Sequence, residues 1–465
     1  MTTQSLSVSN VVSTNAGFLT APQISISGAG LAVVSGDFNG DGKKDLATVV
    51  LDGQGHASLN IRLANGNGTF QAAVATPIAF NASGDVLYAA DLNGDHKDDV
   101  VIAHSGSGSG SVTVLLSNGN GTFTGPVTYP DSIPIVSALA VSDVNGDGYV
   151  DIVVADGVGG PDSGVTPQVA TLLGNGDGTF NTQYSTQLPG TFSDALFADL
   201  NGDGKLDLVS TSQVFLANPA GGYYAGVPLP NSSPEIAQTG MVAVGDLDGD
   251  HHIDIIVANR SANTVTVYVN NGDGTFRQGT TDYVGVAPMF VAIADVSGDG
   301  IPDVVAANSS SADITVLVGK GDATFKPVST GYVAGGALWA KPLIADFNGD
   351  GKTEIIVPQF ASDYEMGLAF LQSTSNGAFV AAQDFYAPMS LTATEPAFGV
   401  ALASADFNRD GIPDFVLGNA GGSSVGVTVF LGKPDGTLYP GVNYGSGGSM
   451  EFVATGDFDG DGVQD

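Results

Sequence analysis

The chain has 465 residues, no cysteine, and 48 acidic against 13 basic residues, for a formal net charge of −35. That balance excludes nucleic-acid binding through phosphate contacts, which need Lys and Arg. Zero cysteine excludes disulfides, thiolate metal sites and a cysteine nucleophile, and no apolar run approaches the roughly 18 residues of a membrane span, so no membrane insertion is expected.

The N-terminal stretch MTTQSLSVSNVVSTNAGF lacks the basic region and apolar core of a secretory signal. Its end, Asn15 to Phe18, reads as the tail of a repeat unit. The first complete unit opens with DFNGDGKKD, which sets Asp37, Asn39, Asp41 and Asp45 at positions one, three, five and nine. The same nine-residue pattern then recurs along the chain. It gives Asp91, Asn93, Asp95 and Asp99; Asp143, Asn145, Asp147 and Asp151; and Asp199, Asn201, Asp203 and Asp207. The fifth copy has only carboxylates, Asp246, Asp248, Asp250 and Asp254, and the sixth carries Asp295, Ser297, Asp299 and Asp303. The last three bring Asp346, Asn348, Asp350 and Glu354; Asp406, Asn408, Asp410 and Asp414; and Asp457, Asp459, Asp461 and Asp465. The copies start 47 to 60 residues apart, and their positions one, three, five and nine hold 29 of the 48 acidic residues. The acidity therefore belongs to the motif rather than to the surface at large.

Between the copies the pattern is that of strands. A β-branched run follows each motif, as in DLATVV at 45–50, DIVVA at 151–155 and DIIVA at 254–258. Next comes an alternating run such as SVTVLLS at 111–117 or TVTVYVN at 264–270, closed by a second signature, GNGTF or GDGTF, at 66–70, 119–123, 176–180 and 272–276. A further strand follows that turn, and another leads into the next motif. No stretch holds helical spacing. Four strands per roughly 50-residue repeat predict an all-β chain of β-propeller blades, one repeat array over 1–465 with eight or seven blades and a metal loop in each.

Oxygen ligands at positions one, three, five and nine suit a hard cation. Glycine at position six permits a positive φ, and the carbonyl of position seven completes six or seven oxygens. That is the chemistry of Ca2+, with no Cys or His among the ligands. An EF-hand places its last acidic ligand at position twelve between helices; here it lies at nine between strands. Each like-charge pair 4 Å apart in the fifth copy costs about 4 kcal/mol at an effective dielectric of 20, so an ion-free loop is self-repelling.

These loops and GTF turns resemble the FG-GAP or VCBS repeats of bacterial secreted and surface proteins, related to the α-integrin propeller, from Phe18 to Asp465. The resemblance implies a calcium-bearing propeller, seven blades rather than eight, and an extracellular or cell-surface location. For function it implies a binding, adhesion or structural module for a protein or carbohydrate. The alternative is the non-catalytic propeller of a larger secreted, polysaccharide-degrading enzyme. Some copies depart from the pattern: His96 and His251 stand at the glycine of position six, Arg409 replaces the first glycine, and the ninth copy stops at its last ligand. Both ends read as cut within a repeat.

No catalytic constellation is visible, and no enzymatic activity is expected. His96, His251 and His252 lie in the loops, while His56 and His104 have no partner suggested by the sequence. Trp339, Tyr223, Tyr224 and Tyr364 offer aromatic faces for stacking or for core packing.

Overall fold

The structure is a computed structural model. It describes all residues except 1–6, 9–10, 15–16, 21–23, 26–28, 52–55, 66–69, 79–85, 106–109, 131–132, 134–135, 137, 156–167, 182–183, 188–194, 233–239, 327–328, 334–335, 339–341, 346–352, 362–365, 372–382, 387–401, 419–425, 434–436, 446–454 and 456–465. The ninth loop, most of the seventh, Trp339 and Tyr364 thus lie outside the described residues. The described residues contain strands and turns and no helix.

The chain divides into two compact units. One comprises residues 1–141, 174–180 and 386–465; the other comprises 142–173 and 181–385. The first unit holds three four-stranded antiparallel sheets. They are Ala29–Gly36, Asp45–Leu51, Ala57–Arg62 and Val74–Ile78; Val86–Ala90, Asp99–His104, Ser111–Leu115 and Val127–Pro130; and Leu402–Ala405, Asp414–Gly418, Gly426–Phe430 and Val442–Gly445. Two short pairs, Ser7–Val8 with Ile24–Ser25 and Val11–Thr14 with Gly17–Thr20, precede them. In each four-stranded sheet, spatial order follows chain order. This up-and-down meander is the blade of a β-propeller, the fold class read from the sequence.

The second unit repeats the meander in Ala195–Ala198, Asp207–Ser210, Gln213–Phe215 and Val227–Pro228; in Val242–Gly245, Asp254–Asn259, Thr264–Asn270 and Phe276–Tyr283; and in Pro288–Ala294, Asp303–Asn308, Asp313–Leu317 and Ser329–Val333. One sheet departs from it: Gly336–Leu338 and Leu343–Ala345 both pair with Glu354–Ala361, so its first strand is interrupted.

Burial explains the composition of the strands. The second strand of a sheet is covered on both faces, so DIIVAN at Asp254–Asn259 is buried throughout and reads as a continuous apolar run. The fourth strand lies at the edge, and FRQGTTDY at Phe276–Tyr283 is mostly polar and half exposed. Adjacent sheets within a unit pack face to face. Val49, Leu59 and Ile61 of one sheet meet Val100, Ile102 and Leu115 of the next, and Ile256, Val265 and Val267 meet Val291, Val304 and Leu317.

Candidate metal centre

Each described nine-residue loop connects the first strand of a sheet to the second. Seven loops are complete among the described residues, and the same hydrogen bonds shape them. The position-one carboxylate turns inward over the loop's own backbone. Asp37 Oδ1 accepts the N–H groups of Gly40 (2.7 Å) and Asp41 (3.1 Å), and its Oδ2 accepts that of Gly42 (2.8 Å). The bond from position six to position one recurs at Asp91, Asp143, Asp199, Asp246, Asp295 and Asp406, between 2.8 and 3.0 Å. A side-chain oxygen of position three accepts the N–H of position five, as Asn39 does from Asp41 (2.8 Å). Ser297 is a shorter arm than Asn at that position.

Position six has positive φ, as its glycine suggested: 83° at Gly42, 64° at His96 and 68° at His251. Histidine adopts the left-handed region at a steric cost that glycine does not bear. Position four is left-handed as well, which the motif reading did not anticipate, and Arg409 is therefore held at φ 60°.

Position nine behaves differently from the other three. Asp45, Asp99, Asp151, Asp207, Asp254, Asp303, Glu354 and Asp414 are all fully buried. In six of the complete loops the two oxygens of position nine are directed to different parts of the sheet. Asp45 Oδ2 accepts the N–H of Phe38 at position two (3.0 Å), and its Oδ1 accepts that of Ala64, just past the third strand (2.8 Å). Asp99 does the same with Leu92 and Ser117, Asp207 with Leu200 and Ala217, Asp254 with Leu247 and Asn270, Asp303 with Val296 and Gly319, and Asp414 with Phe407 and Gly432. The receiving residues Ala64, Ser117, Ala217, Gly319 and Gly432 are also bridged to the aromatic or leucine that ends the GTF turn. The two sequence signatures thus meet at one residue.

Position two, whose side chain anchors the loop, was overlooked in the motif. Phe38, Leu92, Val144, Leu200, Leu247, Val296 and Phe407 are all buried, and an unbroken apolar column at that position is the signal that identifies them.

Burial pushes Asp45, Asp99, Asp207, Asp254 and Asp414 up to about 6, against the pull of their two N–H donors. Asp303 moves in the same direction for the same reason. Burial and then the neighbouring Asp250 charge raise Asp248, whereas the N–H of His252 lowers Asp250.

In the fifth loop the donor set suits a hard cation. One carboxylate oxygen from each of Asp246, Asp248 and Asp254 lies within 4.8 Å of the others. Positions one, three and nine of this loop converge, Asp254 presenting an oxygen there even while accepting backbone N–H groups, whereas Asp250 at position five, which the spacing also included, is not in the group. The donors are all oxygen, which fits calcium. The position-five carboxylate sits at the loop edge. There, cationic side chains at position seven reach it in three loops: Lys43 to Asp41 (3.0 Å), Lys97 to Asp95 (2.7 Å) and Lys205 to Asp203 (3.2 Å).

Among the histidines, His104 is buried with Nε2 2.9 Å from Thr113 Oγ1, and His56 is exposed. His252 Nδ1 lies 3.1 Å from Asp250 Oδ2. Tyr223 is buried on a GTF-type turn and Tyr224 is half exposed.

Comparison with known proteins returned no match among curated sequences. Solved structures similar to the chain include the V. cholerae biofilm matrix protein Bap1, at 14% identity over 100% of this chain and 87% of that one, TM-score 0.41. A Lactobacillus plantarum protein is similar at 13% identity over 77% and 96%, TM-score 0.42. A functionally unknown protein from Desulfotomaculum acetoxidans follows at 12% over 73% and 94%, TM-score 0.41. The profile of the FG-GAP-like repeat matches residues 37–102, 91–154, 143–210, 246–306, 295–357 and 406–465. Every matched segment begins at the first aspartate of a loop described above, and together the segments span most of the sequence; the chain belongs to the FG-GAP-like repeat family.

Proposed function

We propose that the chain is a calcium-stabilised binding module that works outside the cell or on its surface and has no catalytic activity of its own. The observation that carries this reading is the convergence of Asp246, Asp248 and Asp254 in a loop whose backbone geometry recurs through the chain. Positions one, three, five and nine of each loop would hold the ion, which would supply the positive charge that these carboxylates lack. The protein's own contribution is to fix the loop beforehand, through N–H groups on position one and the buried carboxylate at position nine. Loops of this kind in extracellular modules bind calcium at roughly 10⁻⁴–10⁻³ M, a range filled outside cells rather than in the cytosol.

The test is calorimetric titration of the full chain with calcium after chelation, alongside thermal melting. The reading expects several ions per chain and a higher melting temperature with calcium. A melting temperature indifferent to chelation sinks it. The absence of catalysis is tested separately by screening for polysaccharide and ester hydrolysis. Turnover lost in His104→Ala or His56→Ala, with melting unchanged, would make the chain an enzyme.

A further inference from the structure

A cavity of about 260 Å³ opens on one face of the sheet that contains Thr264–Asn270 and Phe276–Tyr283, away from its metal loop. Its wall is set by strand register. Three cross-strand pairs line it: Thr264 with Tyr283, Thr266 with Thr281, and Tyr268 with Gln278. In a regular strand, residues 278 and 281 are three apart and face opposite sides. The register shifts by one residue between the pairs at Thr266 and Tyr268, and this bulge turns both side chains to the same face. The edge strand is therefore shaped to place an amide and a hydroxyl side by side.

The remaining wall is of the same chemistry. Asn259 Nδ2 donates to Thr264 Oγ1 (3.1 Å) and Thr266 Oγ1 (2.9 Å), and Thr266 is linked to Thr281 (3.1 Å). From the preceding sheet, Asn231 Nδ2 donates to Gln278 Oε1 (2.8 Å), and Thr211 brings a buried hydroxyl with no hydrogen-bond partner. Tyr283 stands at 77% exposure, while Tyr268 is buried. Among the described residues, no charged side chain lines the cavity, although the chain carries −35. In the following sheet, the matching ladder of Asn308 and Thr315 is closed off. Gly285 donates its N–H to Thr315 Oγ1 there, and a Cβ on Gly285 would fall 2.2 Å from Asp313 Oδ1.

We propose that this cavity binds one ring of a neutral, polyhydroxylated ligand, a pyranose unit of a glycan. The uncharged lining among the described residues disfavours both anions and cations. The dense amides and hydroxyls match sugar hydroxyls that both donate and accept, and the exposed Tyr283 ring offers a face for the ring's C–H groups. The volume lies just below the roughly 300–1,000 Å³ of drug-sized sites, which suits a single ring. The inference rests on the reading of the chain as a binding module and names the ligand class of that module.

Ligand-observed NMR on the full chain in calcium tests it, with glucose, galactose, mannose, N-acetylglucosamine, their short oligomers and glucuronic acid as a charged control. At least one neutral sugar is expected to bind and the uronic acid not to. Gln278→Ala and Tyr283→Ala should each weaken binding by about tenfold, the loss of one good polar or stacking contact. Melting should not change, and Tyr439→Ala, another exposed tyrosine, should bind as wild type. Binding that survives both variants overturns the assignment to this cavity while leaving a binding module in place. Failure of every neutral sugar, or preference for glucuronic acid, overturns the inference itself. Calcium-dependent melting, measured on the same samples, shows independently whether the broader reading stands.

Discussion

The first and fifth loops share one backbone and differ in charge. In the first, Asn39 is neutral, and Lys43 lies 3.0 Å from the Asp41 carboxylate. In the fifth, Asp248 and Asp250 are both acidic; the His252 ring lies 3.1 Å from Asp250, and the Arg277 guanidinium lies 3.8 Å from Asp248. Yet position one accepts the N–H of position six, and position nine that of position two, at nearly the same distances in both loops. The loop's shape is therefore set by amide-to-carboxylate bonds and a buried apolar residue, not by the balance of charge around the ion site. Charge is free to vary from copy to copy.

The largest expected effect is that of removing calcium. An ion that binds only the folded state stabilises by about 2.7 kcal/mol per site at a hundredfold excess over Kd, so chelation should lower the melting temperature by many degrees. The fifth loop, lacking a lysine on its position-five carboxylate, should open first by hydrogen exchange; if the first loop opens first, charge is not what separates them.

Next in size is Asp254→Ala. It leaves the buried N–H groups of Leu247 and Asn270 without their acceptor, at about 1–3 kcal/mol for each. Melting should fall with or without calcium, and Asp45→Ala should behave alike. Asp250→Ala should part company with them. In calcium it should cost stability and lower the calorimetric stoichiometry by one, but in chelator it relieves repulsion with Asp248 and should be neutral or stabilising. Equal losses under both conditions would mean that Asp250 is structural, like Asp254.

A smaller effect concerns pH. The buried position-nine carboxylates are pushed up to about 6 from an ordinary 3.8. Between those values the folded chain holds more protons than the unfolded one, so stability rises as pH falls through 6. In chelator, melting temperature should therefore rise from pH 7 to pH 5. In limiting calcium, protons compete with the ion and the trend should reverse. The smallest effect is expected from His251→Gly, which relieves a left-handed histidine at roughly 1 kcal/mol and should tighten calcium binding. The reciprocal Gly42→His should weaken the first loop by a similar amount.

The strands, the loops and their phase were legible because each is a local pattern: alternation, β-branched runs and a nine-residue spacing. The left-handed position six was legible from Gly42, but the same requirement at position four shows openly only where Arg409 breaks the glycine column. The full burial of Asp45 and its equivalents was not legible. It depends on a third strand ending ten to nineteen residues later, a relation that tertiary pairing alone creates. Nor could sequence place Gln278 beside Thr281, because a period-two reading puts them on opposite faces until the register slips.

The join between the two signatures also says where the chain can change. From position nine to the residue it holds there are 19 residues at Asp45–Ala64 but only 10 at Asp207–Ala217. Both anchor points stay fixed while the hairpin between the second and third strands lengthens or shrinks. Length variation is thereby exported to the end of each sheet remote from the carboxylates. An epitope tag or a short recognition peptide grafted into the hairpin between Asp207–Ser210 and Gln213–Phe215 would extend a segment whose length already varies freely among its siblings. The repeat thus suits the display of grafted sequence, its acidic end tied by the same hydrogen bonds in each described copy while the hairpin at the other end differs in length.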